Sequence, residues 1–166
     1  PRPGRFRQGV DRKMSMIKAL SALAAMFLIA ACSNNDTQTA SAATTSVTPG
    51  SVGDFRQNVG DRVFFDTDSS TVREDGRQTL NRQAEWLKKY GNYQITIEGH
   101  CDERGTREYN LALGERRANA ARQYLIAQGI PASRLKTVSY GKERPDPVGS
   151  DEAAWARNRR AVTALE

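Results

Sequence analysis

Apolar residues recur along residues 62 to 165 with periods that alternate between strand and helix. Short β-rich runs predict strands at 62–65, 93–98, 135–140 and 159–165. Longer stretches with apolar residues every three or four positions predict helices at 74–90, 110–128 and 151–158. The pattern therefore predicts an α+β domain of order β-α-β-α-β-α-β, with its helices packed on one sheet.

Stop and cap signals flank the predicted helices. Gly91 and Asn92 follow the first helix, and Gly129 follows the second helix shortly before Pro131. Asn110 is predicted to cap the second helix, because its side chain can accept hydrogen bonds from early helical N–H groups.

The first 31 residues have the pattern of a targeting signal. Lys18 precedes the apolar run ALSALAAMFLIAA, which is too short for a permanent membrane span but suits a secretory signal. The residues Ile29-Ala30-Ala31-Cys32 resemble the bacterial lipoprotein signal box, which predicts cleavage before Cys32 and acylation of its thiol. An ordinary signal peptide with an incidental cysteine is the alternative. The resemblance to bacterial lipoproteins implies delivery to the outer membrane, because Ser33 stands where lipoproteins retained in the inner membrane are expected to carry Asp.

Two further segments flank this signal. Residues 1–13 precede any methionine, so we interpret them as upstream sequence, with the start at Met14 or Met16. Residues 33–60 are rich in Ser, Thr, Ala, Asn and Gly, and so predict a flexible tether. Fully extended, 28 residues reach roughly 90 to 100 Å. The predicted organisation is a leader (1–31), a lipidated cysteine with its tether (32–60) and one folded domain (61–166).

The charge distribution argues against a nucleic-acid partner. The chain has a formal net charge of +6 and a pI near 9.6. However, six of its 25 basic residues but only one of its 19 acidic residues precede residue 32, so the remainder is close to neutral. A phosphate-backbone binder needs many basic groups on its folded part. With Cys32 acylated, Cys101 has no disulfide partner, and the fold must depend on its core.

The segment EGHCDERGTREYN, residues 98 to 110, concentrates charged side chains around the only histidine of the chain. His100 and Cys101 are neighbours at the end of a predicted strand, where successive side chains point to opposite faces and cannot readily form a thiol-imidazole dyad. No G-x-S-x-G motif presents a serine to the same histidine. We therefore predict no enzyme activity, and we interpret His100 as a hydrogen-bonded residue at a strand end.

Metal and hydrolase interpretations of this segment are equally poorly supported. One histidine beside one cysteine is a poor zinc chelate, so no metal or cofactor is predicted. Asp102, Glu103 and Glu108 could supply a glycosidase carboxylate pair, but nothing in the sequence fixes their separation.

Arg117 is the most informative residue of the second helix. It lies in the apolar arc of the helical wheel, four residues from both Leu113 and Ala121. A partly buried arginine needs an anionic partner, and Asp102 at the end of the preceding strand is the nearest candidate. Either the two residues pair with each other, or they stand apart and hold a zwitterion, with Gly99, Gly105 and Gly114 as the small neighbours that leave space for it.

Three long motifs resemble the OmpA-like C-terminal domain family. They are EGHCDERGTREYNLALGERRANAARQYL, VSYGKERP and DEAAWARNRRAV. The family motif Asn-x-x-Leu-Ser-x-x-Arg-Ala-x-x-Val appears here as Asn110, Leu113, Gly114, Arg117, Ala118 and Ala121. The resemblance covers residues 62 to 165 and implies an OmpA-like fold, β-α-β-α-β-(α)-β, with the helices packed on a four-stranded mixed sheet.

The resemblance also implies a ligand, the meso-diaminopimelate residue of the peptidoglycan stem peptide. Asp102 would hold its ammonium group, Arg117 its carboxylate, and Leu113 its aliphatic chain. Asp68 and Thr67 would add contacts from the loop after the first strand, although the Phe-Asp-Lys of the family appears here as Thr-Asp-Ser. Glu103 and Arg104 are expected to brace the loop, and Cys101 receives no role.

At the level of the cell, the resemblance implies an outer-membrane lipoprotein whose domain faces the periplasm. Acyl chains on Cys32 would anchor one end in the outer membrane while the domain binds peptidoglycan. The implied partners are the components of the Tol-Pal system, including the propeller protein TolB, with a role in envelope integrity and cell division. The alternatives are another OmpA-like wall anchor or a cell-wall hydrolase.

Overall fold

One mixed sheet of four strands organises the computed structural model, which describes residues 47–166. The strands are β1 (Arg62–Phe64), β2 (Ile95–His100), β3 (Leu135–Gly141) and β4 (Arg160–Leu165). Their spatial order is β1-β4-β2-β3, with β2 parallel to β3 and β4 antiparallel to both β1 and β2. The predicted α+β class with a four-stranded mixed sheet is confirmed.

The helices connect these strands in the predicted order. They are α1 (Val52–Asp54), which continues as a π-helical turn (Phe55–Val59), α2 (Glu74–Lys89), α3 (Arg107–Ala127) and α4 (Glu152–Asn158). A short 3-10 turn, Ala132–Arg134, leads into β3. The apolar stripes of α2 and α3 meet the sheet in one core, which includes Val63, Leu80, Leu87, Ile95, Ile97, Leu125 and Leu135.

The second long helix begins three residues earlier than the sequence predicted, so the assignment of Asn110 as its cap is wrong. Thr106 is the N-cap, and its hydroxyl accepts a hydrogen bond from the Tyr109 N–H at 3.2 Å. Asn110 is buried in the first turn, where its amide donates to the carbonyls of Arg104 at 2.7 Å and Thr106 at 3.0 Å. Both residue types make good caps, and here Asn110 instead ties the preceding loop to the helix.

The tether prediction is wrong for residues 47 to 60, which pack on the domain. Phe55 is fully buried, with its ring centroid 5.0 Å from that of Trp86. The Trp86 indole N–H donates to the Asp54 carboxylate at 2.9 Å, and the Tyr93 hydroxyl donates to the Gly50 carbonyl at 2.8 Å. One large apolar side chain in a polar segment is enough to draw it into the core.

The remaining N-terminal predictions lie outside the described residues. These are the leader, the lipidation of Cys32 and the first part of the tether, residues 33 to 46. Within residues 47–166, no helix has the length and apolarity needed to cross a membrane.

Two glycines let α3 lie directly against β2. A Cβ atom built on Gly99 would fall 1.8 Å from the carbonyl oxygen of Gly114, and one on Gly114 would fall 2.3 Å from the Ser139 hydroxyl. The backbones of helix and strand therefore fill the space that the sequence assigned to a ligand, and that expectation is wrong for Gly99 and Gly114. Their close contact instead fixes the height of Arg117 above the sheet.

Candidate functional site

A cavity of about 290 Å³ opens where the loop after β1, the loop after β2 and the start of α3 meet. All five residues that the resemblance assigned to ligand binding line this cavity, namely Thr67, Asp68, Asp102, Leu113 and Arg117. Residues separated by up to 50 positions in the sequence thus share one site.

Arg117 forms the fully buried floor of the cavity. Its guanidinium donates to three backbone carbonyls, those of Ser69 at 2.8 Å, His100 at 3.0 Å and Asp66 at 3.1 Å. A fourth donor group reaches the Cys101 sulfur at 3.4 Å. Four of the five N–H groups of an arginine are therefore engaged, and one Nη2 hydrogen has no acceptor among the described residues.

No carboxylate pairs with Arg117 among residues 47–166, so the possibility that Arg117 and Asp102 simply pair with each other is wrong. Burial lowers the pKa of Arg117, although the nearby Cys101 and Asp102 act in the opposite direction. An arginine nevertheless stays charged at physiological pH. The cavity floor thus carries a buried positive charge whose direct partners are backbone carbonyls and a thiol, with the Asp102 carboxylate acting only from a distance.

Asp102 stands on the other side of the cavity and is bound by two different arginines. Its Oδ1 accepts from the Arg104 backbone N–H and from Arg104 Nε, both at 3.1 Å. Its Oδ2 accepts from Arg104 Nη2 at 2.7 Å and from Arg159 Nη1 at 3.4 Å. Burial acts to raise the pKa of Asp102, but the hydrogen bonds and charges of the two arginines outweigh burial and lower it.

The loop that carries Asp102 is braced on its outer side, as predicted for Glu103 and Arg104. The Glu103 carboxylate accepts the Trp155 indole N–H at 3.1 Å, and the Arg104 guanidinium carbon lies 4.3 Å from the Trp155 ring centroid. The Lys142 ammonium donates to the carbonyls of Glu103 and Gly105. Helix α4 and the end of β3 therefore hold this loop in place.

The loop after β1 forms the opposite rim of the cavity. Asp68 adopts a left-handed backbone conformation with φ of 54°, and its carboxylate accepts a hydrogen bond from the Tyr109 hydroxyl. The Thr67 hydroxyl accepts from Arg104 Nη2 at 3.5 Å. Leu113 supplies a buried apolar wall between the two rims. The cavity thus combines a cationic floor, anionic rims and one aliphatic side.

Cys101 and His100 do not form a dyad. The Cys101 thiol donates to the Asn110 carbonyl at 3.4 Å and accepts from Arg117. Burial raises the pKa of this thiol, although Arg117 acts in the opposite direction, so the sulfur is a neutral part of the cavity wall.

The prediction that His100 lies at a strand end is confirmed, because it is the last residue of β2, but the prediction that it is hydrogen-bonded is wrong. The ring is buried, and neither nitrogen has a partner with hydrogen-bonding geometry among the described residues. The nearest acid, Glu98, lies 3.5 Å from Nε2. Burial, together with the positive charges of Arg160 and Arg144, lowers the pKa of His100 to about 4. Within residues 47–166, no group of three or more His, Cys, Asp or Glu side chains could hold a metal ion.

Sequence reasoning missed two side chains of the site, Tyr109 and Arg159. Tyr109 lies in the first turn of α3, and the misplaced helix start left it in a loop. Arg159 reaches Asp102 across 57 positions of sequence, from the junction of α4 and β4. No local pattern signals this contact, because it depends on β4 lying between β1 and β2.

Comparisons with known proteins agree with this geometry. The OmpA family model matches residues 64–159. The chain is 54% identical to the peptidoglycan-associated lipoprotein of Agrobacterium fabrum over 93% of this chain and 90% of that protein. It is 63% identical to the protein of that name from Rhizobium meliloti, over 72% and 68% of the two chains.

A solved structure is also similar. The crystal structure of the peptidoglycan-associated lipoprotein from Burkholderia pseudomallei is 42% identical, covers 67% of this chain and 96% of that chain, and superposes with a TM-score of 0.64. The chain therefore belongs to the OmpA family, among the non-enzymatic proteins named peptidoglycan-associated lipoproteins.

Proposed function

We propose that the chain is an outer-membrane lipoprotein whose domain binds peptidoglycan non-covalently in the periplasm, through the meso-diaminopimelate residue of the stem peptide. The names of its relatives, which associate those proteins with peptidoglycan and describe them as lipoproteins, support this proposal. So does the chemistry of the cavity, which suits a small group carrying both charges.

The observation that carries the proposal is the buried guanidinium of Arg117. A buried cation usually has a carboxylate partner, and this one has three backbone carbonyls and a thiol instead. A ligand carboxylate would supply the missing charge. It would accept the remaining Nη2 hydrogen directly, whereas a bidentate grip also needs a hydrogen from Nε, which must then leave the Ser69 carbonyl, or from Nη1, which must leave the His100 carbonyl or the Cys101 sulfur.

The other groups of the cavity suit the rest of the same ligand. Asp102 would accept the ammonium group at the distal end of diaminopimelate. Leu113 would pack on the methylene chain, with Thr67 and Asp68 at the rim. A ligand with a carboxylate and an ammonium on one carbon fits a cationic floor that faces an anionic rim.

The protein would then act as a mechanical link. Acyl chains on Cys32 would hold one end in the outer membrane, and burial of about 0.8 kcal/mol per methylene makes anchoring by several chains lasting. Because residues 47 to 60 pack on the domain, residues 33–46 remain as the connection, and fully extended they span at most roughly 46 to 50 Å. The start of the domain, residue 47, must therefore lie within that distance of the anchor.

The partners proposed for this link are the components of the Tol-Pal system, including TolB. A link between membrane and wall that works with this system would maintain envelope integrity during cell division. The family name of the relatives is the support for this part of the proposal.

The test is co-sedimentation of the full chain, in a mild non-ionic detergent, with diaminopimelate-type sacculi. We expect Arg117→Lys and Asp102→Asn each to weaken binding about tenfold or more, because each change removes a charge-assisted contact. Arg116→Lys is the matched control, since Arg116 is the exposed neighbour of Arg117 on the same helix. Undiminished binding by both folded variants would move the wall contact to another surface.

A further inference from the structure

Arg104 fills the position that the ammonium group of the ligand needs. Its backbone N–H and Nε bind one oxygen of Asp102 at 3.1 Å, and its Nη2 binds the other oxygen at 2.7 Å. Arg159 Nη1 also donates a hydrogen bond to that second oxygen, at 3.4 Å. A carboxylate has about four acceptor sites, so Asp102 is already saturated.

The Arg104 guanidinium also crosses the cavity. Its Nη2 lies 3.5 Å from the Thr67 hydroxyl on the opposite rim, in addition to its contact with Asp102. A ligand ammonium that approaches Asp102 from the cavity therefore meets this guanidinium.

We propose that Arg104 is a resident cation that the ammonium group of the ligand must displace from Asp102, and that Arg104 thereby sets which ligands the cavity accepts. This inference rests on the proposed function of the cavity, and it identifies a residue that determines its specificity.

Arg104, and not Arg159, is the arginine that can leave. The Arg104 side chain is 40% exposed, whereas that of Arg159 is 8% exposed. Arg159 is also fixed by the Phe65 carbonyl at 3.1 Å and by the Glu152 carboxylate at 2.8 Å. The remaining side-chain contacts of Arg104 are the face of Trp155 and the long, exposed contact with Thr67, neither of which is a charge pair. Arg159 therefore keeps Asp102 oriented while Arg104 swings outwards.

This exchange favours ligands that bring their own cation. The ammonium group takes the place of the positive charge of Arg104 beside Asp102, so the carboxylate is never left unpaired. A ligand with a carboxylate for Arg117 but without the ammonium leaves Arg104 in place. The apparent dissociation constant for an ammonium ligand equals the intrinsic constant divided by the fraction of molecules in which Arg104 has left.

The experiment titrates the full chain, in detergent, with two synthetic tripeptides by isothermal titration calorimetry. One is L-Ala-γ-D-Glu-meso-diaminopimelate, and the other has 2-aminopimelate at the third position, which keeps the distal carboxylate but lacks the ammonium. Arg104→Ala is expected to bind the first tripeptide about two to five times more tightly than wild type, the range for a partly exposed ion pair. Its affinity for the second tripeptide should stay unchanged.

Arg107→Ala is the matched control for the loss of one positive charge. Arg107 begins the same helix, is largely exposed and pairs with Glu143 at 3.3 Å, away from Asp102. Circular dichroism melting establishes that each variant is folded.

Three outcomes are distinguishable. Tighter binding of the diaminopimelate tripeptide by Arg104→Ala alone supports the inference. Equal or weaker binding of that tripeptide by Arg104→Ala overturns it and makes Arg104 a positioning residue or a ligand contact. If wild type binds neither tripeptide, the proposed function fails and the inference fails with it.

Discussion

A buried guanidinium is costly unless neighbouring dipoles replace the water that it loses. Arg117 meets this condition with carbonyls from the loop after β1, those of Asp66 and Ser69, and from the end of β2, that of His100. The same contacts join the loop after β1 to the end of β2. The residue that would recognise a carboxylate is thus also the residue that assembles the cavity.

The helical wheel predicted that Arg117 faces the sheet, because the direction in which a side chain points from a helix follows from local periodicity. It could not predict the partners of Arg117, because backbone carbonyls have no sequence signature. It also could not predict that Asp102 binds Arg159, which is distant in sequence. The resemblance to a family identified the residues of the cavity, and the structure was needed to find which of their polar groups are already occupied.

His100 should make stability depend on pH. Its pKa is lowered to about 4 in the folded chain, against an ordinary value near 6.5. Between those two values the unfolded chain binds a proton that the folded chain does not, so the free energy of unfolding decreases as the pH falls from 6.5 to 4. The contribution to the slope approaches about 1.4 kcal/mol per pH unit within that range.

The measurement is urea denaturation of wild type and His100→Gln at several pH values from 4 to 8. Because the chain has one histidine, the difference between the two curves isolates this group from the carboxylates that titrate nearby. We expect the free energy of unfolding of wild type, minus that of His100→Gln, to decrease as the pH falls from 6.5 to about 4. Parallel curves would show that His100 is protonated equally in both states.

The contact between α3 and β2 determines where Arg117 lies, because their backbones touch at Gly99 and Gly114. Helices and strands that approach this closely cannot tolerate a side chain at the point of contact. The sequence predicted both elements correctly, but from small residues alone it could not distinguish backbone contact from space for a ligand.

Gly99→Ala should therefore destabilise the domain strongly. The new Cβ would lie 1.8 Å from the backbone carbonyl oxygen of Gly114. A backbone atom cannot move away as the end of a flexible side chain can. We expect a loss of about 3 kcal/mol, at the upper end for overpacking in a core. Gly91→Ala is the matched control, because a Cβ there meets nothing within 4 Å, and its effect should stay within about 0.5 kcal/mol. Chemical denaturation measures both, and equal stability of the two variants would contradict the packing described here.

Sequence patterns predicted which helices and strands exist better than they predicted the residues at which each begins and ends. Helix α3 began earlier than predicted because Thr106 and Asn110 are both acceptable caps, and only the loop geometry selects between them. Residues 47 to 60 were assigned to the tether on composition, which averages over the one buried phenylalanine. Composition predicts whether a segment can fold by itself, and it does not predict whether the segment packs on a neighbouring domain.

Sheet order brings the cavity together. Because β4 runs antiparallel between β1 and β2, its beginning lies beside the ends of both, and Arg159 just before it reaches Asp102. Local periodicity predicts four strands but not their spatial order, and the resemblance implied only that the sheet is mixed. The order explains how a floor, two rims and a bracing arginine converge from four parts of the chain.

The most direct measurement compares the affinity of the full chain for three tripeptides of the L-Ala-γ-D-Glu-X type. With meso-diaminopimelate at X both charges of the ligand are present, with lysine only the ammonium, and with 2-aminopimelate only the carboxylate. A site that pairs Arg117 with the carboxylate and Asp102 with the ammonium should bind the first tripeptide about ten times or more tighter than either of the others. Equal affinity for all three would contradict recognition of a zwitterion in this cavity.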